Sequence, residues 1–371
     1  MIKRIAGSEA STGPITLKVL AAHLGLDPAT VSVVLNNVPG RSIPEATRER
    51  IRAAAQKFNY HPSFVAQSLR NRRTMTIGIL VPVLADGYHA EVMSGIGDHL
   101  LDENYFYFIA HHRHRPDLVK QYPQMLVSRG TEGIIAIDTH IDRRLPVPTV
   151  TVAGHSRIEG VANVVLDHKR AAELILEHLY YLGHRKIAFM RGQPFSSDSA
   201  VRWESLAAAA RGLGLVVRPE LTIELTRDLT SPELGYPVVQ RLLALHQRFT
   251  ALVCFNDMAA IGAVRALHDA QLRVPHDISV VGFDDIPQAA FQMPSLTTVR
   301  QPLHRMGKLS ANLLLEHLQT RTALPPEVAV EPELIVRETT AKARLLAESG
   351  NRPRSGKQIS GVSEKPRAVR V

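Results

Sequence analysis

The sequence predicts an N-terminal all-α headpiece of helix-turn-helix type, followed by an α/β body of two doubly wound, parallel-sheet subdomains. Two observations carry this. Residues 15–62 hold short amphipathic helical patterns separated by a glycine turn and by proline. From Met75 onward, continuous β-branched or aromatic runs alternate with helical stretches, the pattern of buried parallel strands with helices between them.

Within the headpiece, Thr16 suits the N-cap of a first helix through Leu17, Val19, Leu20, Ala21 and Leu24. Gly25 supplies the permissive backbone of a tight turn. Asp27 then caps a second helix, with Pro28 at its first position, where a missing N–H costs nothing. Val31, Val34 and Leu35 recur at spacings of three and four and face the interior. Ala29, Thr30, Ser32 and Val33 are left outward, with Asn36 just beyond. A short, nearly uncharged face of small side chains suits a helix that enters the DNA major groove and touches base edges and thymine methyls. A small helical bundle without a ligand is the bland alternative. Ser42 and Glu45 have capping-box spacing ahead of a third helix from Pro44 through Phe58. Ala46, Ile51, Ala54, Ala55 and Phe58 form its inner face, and Arg48, Arg50, Arg52 and Lys57 a cationic outside.

Charge decides between those readings. Residues 1–73 hold 11 Lys or Arg against 4 Asp or Glu, and residues 341–371 hold 8 against 2. The stretch between carries 25 against 29, so a basic headpiece precedes an acidic body. That is the electrostatic footprint of a DNA reader, because phosphate neutralisation supplies most non-specific affinity. The single cysteine, Cys254, lies in the apolar run ALVCF; it excludes an internal disulfide and reads as buried filler. No run of about 18 apolar residues exists, and Met1–Pro14 lacks the apolar core of a signal peptide. The expectation is a cytoplasmic, nucleoid-associated protein without a membrane span.

The strings TLKVLAAHLGLDPATVSVVLN, PEATRERI and FNYHPSFVAQSLR cover residues 15–70 in an order far more specific than a generic helix-turn-helix. They resemble the headpiece of the lactose-repressor (LacI/GalR) family of bacterial transcription regulators. The resemblance implies a homodimer on a near-palindromic operator, most often a repressor, controlled by a small-molecule effector. It further implies that residues 63–73 are a hinge that turns helical on DNA. There Leu69 matches the leucine that wedges a minor-groove base step and Ala66 the small residue facing the groove. A plain linker is the alternative. The DNA-contacting set is thus Thr16, Pro28, Ala29, Thr30, Ser32, Val33, Asn36, Tyr60, Ala66 and Leu69. Pro28 and Ala29 hold the leading base-reading positions, and Val33 stands where some relatives carry arginine. None of the three offers a bidentate contact, so specificity leans on Thr30, Ser32, Asn36, the hinge and DNA shape.

In the body, strand-like runs fall at 76–82, 105–110, 132–137, 150–153, 186–190, 251–255 and 278–283. Helical stretches include 88–102, 168–182, 198–213, 232–247 and 257–270. The resemblance assigns residues 74–340 to a periplasmic-binding-protein-like core with chain crossings near 166–168, 297–299 and 323–327 and a ligand cleft at the strand ends. Flanking it are a flexible extension, 1–14, and a disordered basic tail, 341–371. Matching effector positions are Arg202 in SSDSAVRWESL, Asn256 and Asp257 in FND, and Asp284 in GFDD. Carboxylates, an amide and an arginine suit polyol hydroxyls, although an Asp in such a place is as readily a helix cap. Tyr88, His89, Phe195 and Phe291 are candidate walls and stacking faces, Asp138 closes the 132–137 strand, and Trp203 is either wall or core. Two departures stand out. Ala153-Gly154-His155 replaces an expected acidic residue, and HHRHR (111–115) hints at an anionic effector or is a solvated loop. No metal site, cofactor or catalytic group is expected, since no ligand spacing, nucleophile–base pairing or phosphate loop is present. The rival reading, a sugar-binding transport component with the same core, would require a secretion signal and no headpiece.

Overall fold

The computed structural model describes residues 15–36, 41–62, 68 and 73–344. It opens with α1 (Leu17–Leu24), α2 (Pro28–Leu35) and α3 (Glu45–Lys57). Thr16 Oγ1 accepts the Val19 N–H at 3.4 Å, and Asp27 Oδ1 accepts the Ala29 N–H at 2.7 Å. Gly25, at φ 64°, ends α1 in the left-handed region that only glycine enters freely. The chain then turns through 107° into α2, within the range of helix-turn-helix units. Leu20, Ala21, Val31, Val34, Ile51, Ala54 and Ala55 close one small core, with Leu35, Phe58 and Tyr60 packed against it.

Two headpiece expectations fail. Pro44, not Ser42, caps α3, and no side chain bonds there. Pro44 already sets the entry dihedral, and its carbonyl accepts the Thr47 and Arg48 N–H groups. Glu45 is left to pair with Arg52 at 3.3 Å. Ala46 is exposed rather than covering. It lies five residues before buried Ile51, about 140° around the helix from it.

The body continues with β1 (Thr76–Val81), α4 (Gly87–Asp102), β2 (Phe106–His111), α5 (Pro116–Ser128), β3 (Gly133–Ile137), β4 (Thr149–Val152) and β5 (Val161–Leu166). Next come α6 (His168–Tyr181), β6 (Ile187–Arg191), α7 (Asp198–Gly212), β7 (Thr222–Glu224), α8 (Tyr236–Ala244), β8 (Ala251–Val253) and α9 (Asp257–Asp269). It closes with β9 (Ser279–Asp284), α10 (Pro287–Phe291), β10 (Thr297–Arg300), α11 (Leu303–Thr320), β11 (Glu327–Val330) and β12 (Glu333–Ile335). Among the described residues, no single helix is long and apolar enough to cross a membrane.

The chain divides into two compact units. One takes everything up to Asp167 together with Pro194–Ala200 and Pro302–Glu331; the other takes His168–Gln193, Val201–Gln301 and the chain from Pro332. The first unit's sheet runs β11-β5-β4-β3-β1-β2, all parallel. The second runs β12-β10-β9-β8-β6-β7, parallel except for the antiparallel β10–β12 pair. Every residue of β1, β3, β4, β5 and β9 is buried, as strands covered on both faces must be.

Strand β2 corrects the sequence reading. It looks like a buried strand, yet it is an edge strand with Phe106, Phe108 and Ile109 exposed. The expected helix over 232–247 also divides, into a 3₁₀ turn at Pro232–Leu234 and α8. At the junction, Gly235 lies so close to α9 that a Cβ would sit 1.9 Å from the Ala259 carbonyl oxygen.

The tightest helix packing in the first unit is α4 against α11. A Cβ on Gly95 would lie 1.9 Å from the His304 carbonyl oxygen, and one on Gly307 would lie 2.1 Å from that of Val92. The two backbones therefore touch. Gly95→Ala and Gly307→Ala should each destabilise the protein by about 1–3 kcal/mol or more in urea denaturation. Gly212→Ala, where no atom lies within 4 Å of the added carbon, should not.

Candidate functional site

Helix α2 leaves Pro28 and Ala29 exposed, with Thr30, Ser32 and Val33 partly exposed beside them and Val31 and Val34 buried beneath. Asn36 Nδ2 donates to the Ser32 carbonyl at 2.6 Å and to Ser32 Oγ at 3.2 Å, which fixes both side chains at the end of the face. The arginines of α3 are partly spent on structure. Arg48 donates to the Ile43 and Arg41 carbonyls, and Arg50 to the Leu24 carbonyl that ends α1. Thr16 serves as a cap, and Tyr60 is half-buried against the headpiece core, its N–H on the Ala55 carbonyl. Ala66 and Leu69 lie outside the described residues.

In the first unit, the strand ends hold a polar cluster. Asp138, immediately after β3, turns at φ 40°. Its Oδ1 accepts the Ser197 N–H at 2.9 Å, the Ser197 hydroxyl at 2.5 Å and the Ser196 hydroxyl at 3.4 Å. Its Oδ2 lies 3.9 Å from His89 Nε2, while His89 Nδ1 meets Asp86 Oδ1 at 2.7 Å. Burial lifts the Asp138 carboxyl above its ordinary value against the pull of His89 and Ser197. Burial opposes charge on His89 too, but the bond and charge of Asp86 outweigh it and hold the imidazole above its usual range. Tyr88 meets the His89 ring edge-on at 5.0 Å. His155 Nε2 pairs with Asp198 Oδ1 at 2.5 Å, so the position without its expected acid recruits one from α7.

Beside this cluster lies a cavity of 570 Å³ walled by His112, His114, Lys120, Asp138, His140 and Phe195, among others. The His114 ring packs on Phe195 at 4.4 Å. The HHRHR string is less cationic than it reads. Burial, with His114 and His111 nearby, depresses His112 to about 4, and its Nε2 bonds the Thr139 hydroxyl at 2.8 Å. Arg115 is paired with Asp117.

The second unit holds the remaining candidates at the ends of β8, β9 and β10. The Arg202 guanidinium lies 3.7 Å from the Phe283 ring centre and 4.5 Å from that of Phe255, and Nη1 donates to the Phe255 carbonyl at 2.6 Å. Asp284, at φ 115°, accepts from Gln301 Nε2 at 2.7 Å. Asn256 caps α9 by accepting the Ala259 N–H at 2.9 Å. Asp257 is wholly buried. Its Oδ1 accepts from Thr298 Oγ1 at 2.6 Å and its Oδ2 from the Ile286 N–H at 2.9 Å, so both oxygens tie the strand ends together. Phe291 stands 86% exposed on α10. Trp203 packs edge-on to Phe189 under the Arg191 guanidinium. Ser196, Ser197 and Gln301 escape the sequence reading, while His155 and His112 lie in the two departures it marked, without the partners they meet here. The hydroxyl-rich SSDS after β6 signals the two serines locally; nothing local signals Gln301.

The comparisons with known proteins agree with this geometry. The model for bacterial regulatory proteins of the lacI family matches residues 16–63, and that for a periplasmic binding protein-like domain matches 176–340. The HTH-type transcriptional repressor PurR of Haemophilus influenzae is 30% identical over 336 residues, which span 87% of this chain and 98% of the repressor. The chain belongs to the lacI family of bacterial regulatory proteins. PurR of Erwinia tasmaniensis is likewise 30% identical, over 88% of this chain and 97% of its own. Among solved structures, the lac repressor dimer bound to operator and the anti-inducer ONPF superposes with a TM-score of 0.79 at 25% identity, covering 89% of this chain and 100% of that one. The transcriptional regulator CelR–cellobiose complex gives 0.63 at 26% identity, with 88% and 99% covered. As a lacI-family protein, the chain is a DNA-binding transcription regulator with an effector-binding core, and its relatives are repressors rather than enzymes.

Burial pushes the Asp257 carboxyl up to about 7. A raised carboxyl favours the folded state fully below the unfolded value, and this contribution is lost as pH climbs through the folded one. Urea denaturation should therefore show stability falling between about pH 4 and pH 7 in the wild type. Asp257→Asn, which cannot ionise, should flatten that window.

Proposed function

We propose that this lacI-family regulator is a repressor that binds a near-palindromic operator as a homodimer and answers to a sugar or sugar derivative. The observation that carries the DNA half is the face of α2. Exposed Pro28 and Ala29, with Thr30, Ser32, Val33 and the Ser32–Asn36 pair, offer contact to bases and thymine methyls without a long charged side chain. Phosphate attraction comes from the basic headpiece as a whole. Thr16, Tyr60, Ala66 and Leu69 complete the proposed contact set, the last two from the 63–73 hinge in the minor groove. This work belongs in the cytoplasm, on the nucleoid.

For the effector, the lac repressor with ONPF and CelR with cellobiose support a sugar-type ligand. In the first unit, Tyr88, His89, Asp138 and Phe195 are its proposed contacts; in the second, Arg202, Asn256 and Asp284 are. With His112 neutral and Arg115 paired, a hydroxyl-rich uncharged effector fits better than an anion. Asp257 acts by holding these strand ends in place, not by touching the ligand.

Dimerisation is supported in each unit by an exposed apolar patch. In the first, Phe106, Phe108 and Ile109 stand open on the β2 edge; in the second, Phe291 and Met293 stand almost fully in water. A two-fold protein then matches a two-fold site.

A genome-wide DNA-binding selection with purified protein, at a stated salt concentration, should enrich one palindromic site. Enrichment without sequence preference would leave the headpiece only a basic anchor. Thr30→Ala should weaken the selected site by about tenfold while leaving the salt slope unchanged. Phe106→Asp should shift the protein toward monomer in analytical ultracentrifugation and weaken the full palindrome, with the heat stability of each protomer retained.

A further inference from the structure

Residues 73–75 join the ten residues 63–72 to the body ahead of the β1 ladder, which begins at Thr76. One side chain holds all three. Glu132, on the turn before β3, accepts the Thr74 N–H at 2.5 Å and the Met75 N–H at 3.1 Å on Oε1. Its Oε2 takes Arg73 Nε at 2.9 Å, and the Glu132 side chain is only 14% exposed. The far end of the same guanidinium donates to the Tyr105 hydroxyl, and its carbon stands over that ring at 6.0 Å. Thr74 Oγ1 donates to the Gly130 carbonyl at 2.5 Å, and the Met75 carbonyl accepts the Phe106 N–H at 2.8 Å.

This is more fixation than the start of a strand requires. A largely buried carboxylate with two backbone N–H groups and a guanidinium on it is a strong, directional clamp. It pins the last residues before the ladder to the turn between α5 and β3. We infer that Glu132 is a positioning residue for operator binding, setting where and in what direction the 63–72 segment leaves the core. The inference rests on the reading above that this segment seats on the operator. Without the clamp, residues 73–75 lose their hold on the core and lengthen the connection between the β1 ladder and the headpiece. Two headpieces bound to one palindrome must then order additional chain, and their effective concentration for each other falls. A single headpiece on a single half-site has no such requirement.

The test uses the full-length protein and two DNAs, the selected palindrome and one isolated half-site. Glu132→Ala should weaken the palindrome about tenfold and leave the half-site within about twofold. Glu132→Gln, which keeps an acceptor for the N–H groups but loses the ion pair, should fall between. Arg73→Met should resemble Glu132→Gln. Equal losses on both DNAs would show simple structural damage and overturn the inference, as would an unchanged palindrome affinity. Leu69→Ala separates the two readings. If it weakens the palindrome and Glu132→Ala does not, the clamp inference fails alone; if neither does, the hinge reading fails with it.

Discussion

Parallel strands buried on both faces leave little room for charged groups along their length, and the placing of the candidate carboxylates follows from that constraint. Hydroxyls and one amide are satisfied inside the strands, as Thr298 and Asn163 are, but the carboxylates collect where a strand ends and the covering helix has not yet begun. Asp138 follows β3, Asn256 follows β8, Asp284 closes β9 and Gln301 follows β10. The chain must also change direction abruptly at these points, which is why Asp138, Ala153, Asp284 and Asp285 all adopt positive φ. The candidate effector residues are thus a product of the sheets, not an addition to them.

The same constraint explains what could be read from the sequence. Strands β1, β3 and β9 announce themselves because burial on both faces demands unbroken apolar runs. Strand β2 carries the same kind of run and lies exposed at the sheet edge, because an apolar run records composition and not a strand's place in the sheet order. The headpiece was almost wholly legible: its caps, glycine turn and inner face are local signals within a few residues of each other. The Ser42 cap failed because Pro44 settled the same backbone question first.

Site roles were less legible than site positions. A carboxylate after a strand reads the same whether it meets a ligand or a neighbouring strand. Asp257 is distinguished only by Thr298 and the Ile286 N–H, far along the chain. The basic look of 111–115 weakens for a similar reason, because the burial that depresses His112 belongs to the folded chain and leaves no mark in the string. In the headpiece, arginines suited to phosphates hold carbonyls instead, so its DNA affinity depends on the summed field more than on any one of them.

The glycine contacts bear on how a signal can pass through this molecule. Helices separated by side chains can slide, because rotamers absorb small displacements. Helices whose backbones touch, as α4 and α11 do at Gly95 and Gly307, have no such slack. In the second unit, Gly262 likewise meets the Pro232 carbonyl and Gly235 that of Ala259. Each unit is therefore stiff against internal shear. The slack within each unit is left to the turns at the strand ends, where the candidate effector residues stand.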